Sequence, residues 1–355
     1  GFVGTGTIVF DECDFEGQAT LNGSATWIFN DCTFVSTESG KYASFVYGAT
    51  KATFNRCSFS GVERAAKVYG TGGTLNVEYN TCEFTSSSLN KSGVEIDASY
   101  ATTTVALNNC TQTAMAGLFA LEGSKGTVLI DGYTWVADGL SQKDGEYYVS
   151  NANGLNYFSN KTADNGTVIK LAADIDMKGA EFKAIAAGYD KSLTFDGQNH
   201  TIKNVKIATC SHNSVGAAGL FFCYTGGTLN VSNLVVEKAT SEGATYAGVI
   251  TGYTQGNATL TNITVKECNI SGVKKIGGIA GFVEASTTNF VAENCKVIDT
   301  TVAATEKQAG TIIGYNAKPA TLKNCTVENS TATAPQYCDG GVRCTDPAQA
   351  ELTIE

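Results

Sequence analysis

The sequence predicts an all-β chain wound as a right-handed parallel β-helix, in two adjoining arrays with a short capping helix between them. Three observations carry this. The stretch 217–327 says nearly the same thing four times: AGLFFCYTGGTLNVSNLVV, AGVITGYTQGNATLTNITV, GGIAGFVEASTTNFVAENCKV and AGTIIGYNAKPATLKNCTV. Aligned, the copies put Gly219, Gly248, Gly278 and Gly310 in one column, Tyr224, Tyr253, Phe282 and Tyr315 in a second, and Asn233, Asn262, Asn294 and Asn324 in a third, with a period of 29 to 33 residues. That period, in β-rich sequence without a long helical pattern, marks a solenoid whose repeats pack only on their neighbours. Earlier in the chain, Cys13, Cys32, Cys57, Cys82 and Cys110 recur at intervals of 19, 25, 25 and 28, inside FDECDF, FNDCTF, FNRCSF, YNTCEF and LNNCTQ. Finally, 39 Gly and only 3 Pro among 355 residues, with Thr, Asn and Ser between short Val/Ile/Phe runs, describe many strands joined by tight turns. Stacked coils in register are parallel, and parallel crossovers turn right-handed almost without exception.

Residues 1–139 form the first array. Period-2 alternation in ATFNRCSF sets Phe54, Arg56 and Ser58 on one side and Asn55, Cys57 and Phe59 on the other, so the Cys and the following Phe are expected to point inward. One Cys per coil, with no CxxC anywhere, points to a column of small apolar thiols in a core rather than to zinc. Cys268, Cys295 and Cys325 repeat the habit in the second half. Residues 140–166 connect and cap: a strand in EYYV, then Ser150 or Asn151 as N-cap of a short helix over 152–160 with Leu155, Tyr157 and Phe158 as its apolar face. An open solenoid end exposes strand edges that such a helix would cover. The second array, 167–334, is expected to carry ladders of like residues, with Asn at bends bonding the coils above and below and Gly where φ is positive. Residues 335–355 leave the repeat at Pro335 and Pro347 and end in a strand-like ELTIE, as a C-terminal cap or the start of a further domain. Cys338 and Cys344 flank CDGGVRC outside the repeat, where an oxidising compartment would permit a local disulfide. The chain opens without Met or signal peptide and reads as a processed product or a piece of something longer.

Charge excludes one class of partner. With 24 Lys and Arg against 34 Asp and Glu the net charge is −10 and no basic stripe exists, which argues against nucleic acid. The sequence contains no run of 18 apolar residues, the length that a membrane-spanning helix needs. Glycosidic hydrolysis takes two carboxylates about 5 to 9 Å apart, and the candidates are few. Asp174 and Asp176 share one side of a strand in AADIDM, about 7 Å apart, and are expected to close a turn. Asp196 and His200 in FDGQNHTI read as a turn phrase satisfying backbone groups. Cys210 and His212 offer a Cys–His pair, in a loop whose polar composition is that of a solvent-facing turn. Glu63, Glu78, Glu83, Glu95 and Asp97 fall in different phases of their coils, which weighs against a metal. No catalytic, cofactor-binding or metal-binding residue is therefore expected. The N-x-S/T triplets, among them Asn22, Asn160, Asn165, Asn257 and Asn262, would read as glycosylation acceptors in a eukaryotic secretory chain, but a composition this rich in Asn and Thr produces many of them by itself. The column Tyr224, Tyr253, Phe282 and Tyr315 has two readings. Facing out, it is a glycan platform with ring steps of about 5 Å; facing in, it is a core ladder, and the flanking Gly and apolar residues favour the interior.

AGVITGY, GGIAGFV and AGTIIGY, each followed by an Asn-containing strand, resemble the GLUG-type repeats of secreted β-helical proteins from gut bacteria. VSNANGLNYF, KLAADIDM and FDGQNHTIKNV are similar to the segment that precedes such repeats, and the FNxCxF phrases with VEIDAS resemble a repeat of Bacteroides-type surface proteins and some of their phages. The resemblance implies a right-handed β-helix, a place outside the cell or on its surface, an adhesive role and no catalytic residues to carry over. The expected function is a non-enzymatic adhesin or structural protein contacting glycans or host surface proteins, with self-association through solenoid ends open to it. The alternatives are a polysaccharide lyase or glycoside hydrolase on the same scaffold, and a phage spike or extracellular filament subunit.

Overall fold

The computed structural model describes the whole chain except residues 213, 214, 285 and 288 and the side chains at 212 and 215. The described residues are nearly all β, in parallel sheets of many strands with β-helix-like architecture. They divide into two compact units, Gly1–Trp135 and Val136–Glu355.

In the first unit each coil contributes one strand to each of three sheets. The first sheet contains Ala19–Asn22, Tyr42–Tyr47, Arg64–Tyr69, Ser92–Asp97 and Gly117–Glu122, all parallel. Thr7–Asp11, Thr26–Asn30, Lys51–Asn55, Thr74–Asn80 and Thr102–Asn108 form the second. The third holds Asp14–Glu16, Thr33–Ser36, Ser58–Gly61, Glu83–Ser86 and Thr111–Thr113. Between the second and third sheets the chain turns on a single left-handed residue: Glu12, Asp31, Arg56, Thr81 and Asn109 have φ of 49, 52, 53, 54 and 50°. A left-handed L-residue costs roughly 1–2 kcal/mol, and the bend offsets part of this with backbone and Asn side-chain hydrogen bonds to the next coil. Arg56 N donates to Asn80 O at 2.8 Å, and the equivalent bonds recur at Glu12, Asp31 and Thr81. The preceding Asn side chains form a ladder: Asn108 donates to Asn80, Asn80 to Asn55, Asn55 to Asn30 and Asn30 to Asp11, at 2.9, 2.9, 2.8 and 2.6 Å.

That left-handed residue overturns the expected alternation. Arg56 resets the phase, so Phe54 and Phe59 both point into the core and both are buried. Two parallel ring columns result. Phe10, Phe29, Phe54 and Tyr79 stack at 5.1, 5.0 and 4.9 Å, and Phe15, Phe34, Phe59 and Phe84 at 4.8, 4.9 and 5.0 Å. The columns meet edge to face, as at Phe54 and Phe59, 5.3 Å apart. The thiol of each coil sits directly after the left-handed residue. Cys57 Sγ lies 3.5 Å from Phe29 O of the coil below and 3.4 Å from Asn55 O, so the thiol is a small core group with carbonyl acceptors.

Early in the second unit lies an antiparallel hairpin, Leu140–Lys143 with Glu146–Val149; the second strand is the one expected in EYYV, and its antiparallel partner was not expected. The helix is shorter than expected, Ala152–Asn156, and its cap is Asn151, whose Oδ1 accepts from Gly154 N at 3.0 Å. Gly154 is there for space: a Cβ would stand 1.9 Å from Gly139 O. Leu155 and Phe158 join the core while Tyr157 stays outside it. The main coils then follow. Thr228–Glu237 and Asn257–Lys266 pair in register and each bends at a left-handed Asn, Asn233 and Asn262, with φ of 52 and 55°. Here the left-handed residue is itself the ladder residue. Asn294 donates to Asn262 at 3.2 Å, Asn262 to Asn233 at 2.9 Å, and Asn233 to Asp196 at 3.0 Å. Both ladders therefore rest on an aspartate, a residue that accepts and has no amide of its own to place.

The glycine column differs from the sequence alignment in position and reason. Gly277, not Gly278, is in register with Gly310, and none of Gly219, Gly248, Gly277 or Gly310 has positive φ. What excludes a side chain is backbone: a Cβ on Gly248 would lie 2.7 Å from Gly281 N, and one on Gly277 2.7 Å from Gly314 N. A second glycine column, Gly252, Gly281 and Gly314, lies four residues after Gly248, Gly277 and Gly310, and the two columns mesh at one tight corner. After the last coil, residues 341–343 lie along its edge, with Ile312 N and Ile313 N donating to Val342 O at 3.0 and 2.9 Å. Leu352–Ile354 pairs in parallel with Ala320–Lys323.

Candidate functional site

The aromatic column lies on the sheet formed by Phe221–Cys223, Thr251–Thr254, Ala280–Val283 and Ile313–Asn316. Tyr253, Phe282 and Tyr315 are in register. Tyr224 is not: the register shifts after Phe221, Cys223 pairs with Thr254, and Tyr224 falls two residues beyond the column. Neither sequence reading of the column describes it fully. Cys223, Ala280 and Val283 belong to the coil's core, whereas Phe222, Tyr253 and Phe282 form a separate cluster on the sheet's other face with Ala184, Ala186 and Ala217. They face away from the coil interior and are nevertheless covered: Tyr253 and Phe282 are each 8% exposed. The cover comes from Thr240–Ala247 and Asn269–Gly277, whose outer residues Tyr246 and Lys275 are in register and lean over the rings.

Lys275 Nζ stands 3.2 Å from the Phe282 ring centre, 4.4 Å from Tyr315 and 5.1 Å from Tyr246. This is a cation–π site filled from within the chain. Burial lowers the Lys275 pKa to about 8, against a smaller upward pull from Glu284, and burial pushes the Tyr253 phenol up to about 12. The middle of the column is thus occupied by the protein's own lysine. Its ends differ. Tyr315 OH donates to Ala348 O at 3.0 Å in the C-terminal segment. Tyr224 meets Tyr189, ring centres 4.8 Å apart, and the two rings line an open cleft of about 440 Å³ with Thr162, Gly188 and Lys191. Tyr189 is 57% exposed. It was missed in the sequence because it belongs to no column; its signal is an aromatic residue in a Gly-Tyr-Asp turn, with Asp190 left-handed at φ 52°.

The acidic candidates hold turns and ladders. Asp174 Oδ1 lies 3.2 Å from His200 Nδ1 and accepts from Thr201 N at 2.9 Å, and these bonds hold its carboxyl below the usual range. Asp176 accepts from Asn204 Nδ2 and Lys178 N at 2.8 and 2.9 Å, and is lowered likewise. Asp196 accepts from Gln198 N at 3.0 Å and ends the Asn233 ladder. Cys210 lies on a strand at the edge of the aromatic cluster, and the side chain of His212 lies outside the described residues. Cys338 and Cys344 are both free thiols, so the disulfide left open by the sequence is not formed here. Tyr337 O accepts from Thr345 N at 3.0 Å and closes that loop without it. Among the described residues no group of three His, Cys, Asp or Glu side chains is arranged to hold a metal ion, and no helix is long and apolar enough to cross a membrane.

No protein-family model matches the chain, and no curated protein matches it. Among solved structures it is similar to a protein from Bacteroides ovatus described as a putative immunoglobulin A1 protease, at 19% identity and a TM-score of 0.37, covering 60% of this chain and 83% of that one. A likeness this distant bears on neither fold nor function.

Proposed function

We propose that the chain is a non-enzymatic, secreted or surface-displayed β-helical adhesin that contacts glycans, its coils right-handed and ordered as two arrays, 1–139 and 167–334. In this reading 140–166 caps the second array at one end and 335–355 caps it at the other. The observation that carries it is the Tyr189–Tyr224 cleft: two rings, one of them mostly exposed, beside the Lys191 ammonium and the Thr162 hydroxyl. Sugars offer an apolar C–H face and a rim of hydroxyls, and such a cleft answers both. The proposed contact thus keeps Tyr224 from the column expected in the sequence, adds Tyr189, and leaves Tyr253 and Phe282 to hold the sheet. The GLUG-type resemblance supports the surface setting. The turn and ladder roles of Asp174, Asp176 and Asp196 support the non-enzymatic reading.

The test is a glycan array probed with the full chain, followed by titration of whichever glycans are retained. Tyr189→Ala and Tyr224→Ala are each expected to weaken binding by about tenfold, the worth of one ring stacked on a sugar. Release of reducing ends from a polysaccharide panel would sink the non-enzymatic reading, and an array without a hit would sink the glycan reading.

A further inference from the structure

A second tyrosine surface lies on the first unit, outside every column singled out in the sequence. On the outer face of its first sheet Tyr47 pairs with Tyr69, and the rings stack at 5.5 Å and 7°. Tyr100, 63% exposed, closes edge-on to Tyr69 at 6.0 Å. The register extends this shelf directly into polar groups. Tyr69 pairs with Asp97, and Asp97 with Glu122; on the neighbouring column Lys67 pairs with Glu95. Lys67, Glu95 and Glu122 line an open cleft of about 230 Å³, walled by the loop carrying Asn90, Lys91 and Ser92.

The polar groups divide into held and unengaged. Glu95 Oε2 accepts from Tyr42 OH at 2.6 Å, Tyr42 OH accepts from Arg64 NH1 at 3.0 Å, and Lys91 Nζ lies 3.7 Å from Glu95. Tyr42 is almost fully buried, so this wall is fixed. The side chains of Lys67 and Glu122 have no hydrogen-bond or ion-pair partner among the described residues. A donor and an acceptor thus stand free on one floor beside exposed rings. That pairing suits a neutral polyol with an apolar face better than a polyanion, which Glu95, Asp97 and Glu122 would repel, or a polycation, which Lys67 and Lys91 would repel. The composition repeats that of the Tyr189–Tyr224 cleft, two close tyrosines and a lysine, built from unrelated residues on a different unit.

We infer that the Tyr47–Tyr69–Tyr100 shelf and the Lys67–Glu122 cleft beside it form a second binding site, for a neutral saccharide. The inference rests on the glycan-contacting reading of the chain and extends it to a separate surface. A pyranose lies on the open face of Tyr100, and its hydroxyls reach Lys67 and Glu122.

The probes are neutral tetrasaccharides of glucose, galactose, mannose and N-acetylglucosamine, titrated calorimetrically against the full chain. Tyr100→Ala and Lys67→Ala are each expected to weaken one saccharide by about tenfold, while Tyr189→Ala leaves that interaction unchanged. Tyr100 is exposed, so its variant folds; unchanged melting of Tyr100→Ala confirms that the loss is local. Binding that survives both Tyr100→Ala and Lys67→Ala but is lost in Tyr189→Ala overturns the second site and leaves the first standing. Absence of binding by every tetrasaccharide and every array glycan overturns both. Capture of unglycosylated polypeptide in place of saccharide also overturns the inference.

Discussion

Asn262 tests the geometry on which the second unit is built. Its side chain donates to Asn233 and accepts from Asn294, at 2.9 and 3.2 Å, while its backbone sits at φ 55°. The side chain is exposed, so each bond counts at the low end of the usual range, together about 1 kcal/mol. A left-handed alanine adds roughly 1–2 kcal/mol, so Asn262→Ala is expected to cost about 2–3 kcal/mol. Asn262→Gly loses the same bonds but accepts the backbone conformation, at an entropic cost of about 0.5–1 kcal/mol, and should be the more stable of the two. Asn262→Asp keeps the acceptor for Asn294 and loses only the bond to Asn233, about 0.5 kcal/mol. Urea unfolding of the full chain, with hydrogen exchange across Thr259–Val265 to localise the change, reads the order Asp above Gly above Ala. An alanine variant as stable as the glycine variant would refute the left-handed bend. An aspartate variant no better than alanine would refute the direction of the ladder.

Three further outcomes follow from the packing. Phe54→Ala removes a fully buried ring stacked on Phe29 and Tyr79 and should cost about 4 kcal/mol, against about 1 kcal/mol for Phe54→Leu, by the same urea assay; equal, small effects would mean the rings are not inside. Lys275→Met tests the filled aromatic cage through pH. The folded-state pKa of Lys275 is lowered to about 8 by burial while the unfolded value is about 10.4, so between these values the unfolded chain holds the extra proton and stability rises with pH. Wild type is therefore expected to gain on the Met variant in urea midpoint from pH 8 to about 10.4, and a difference that stays flat would refute a buried ammonium. Truncation after Ala334 strips the edge covered by Val342 and Leu352–Ile354 and bares Ile312, Ile313 and Leu322; light scattering is expected to show association, and a truncated chain that stays monomeric would show that 335–355 is not a cap.

How much of this was legible in the sequence depends on where each feature stores its information. The Asn ladder was, because a bend that needs both a left-handed residue and a bond to its neighbours admits few residues besides Asn, so the same letter recurs each period. The solenoid itself follows from that recurrence. The phase of the Phe columns was not. Alternation assumes an unbroken strand, and the one residue that breaks it is Glu, Asp, Arg, Thr or Asn in different coils, chosen by no rule that a single sequence displays. The glycine columns were read by conformation, φ, when their cause is the approach of another backbone, which only coordinates reveal. The register shift after Phe221 likewise moved Tyr224 out of the column to which its spacing assigned it.

The candidate sites follow the same logic. In a solenoid, residues that recur each coil are held by their neighbours above and below, and the recurrence is itself evidence of a structural task. Tyr253 and Phe282 recur and are covered; Phe54 and Asn262 recur and hold coils together. Tyr189 and Tyr100 occur once, at turns, where no ladder requires a ring and where solvent reaches them. A large aromatic side chain kept mostly in water is the more informative position. In this chain recognition is therefore to be sought among the residues that interrupt the repeat, and the periodic letters, conspicuous in the sequence, describe the scaffold that presents them.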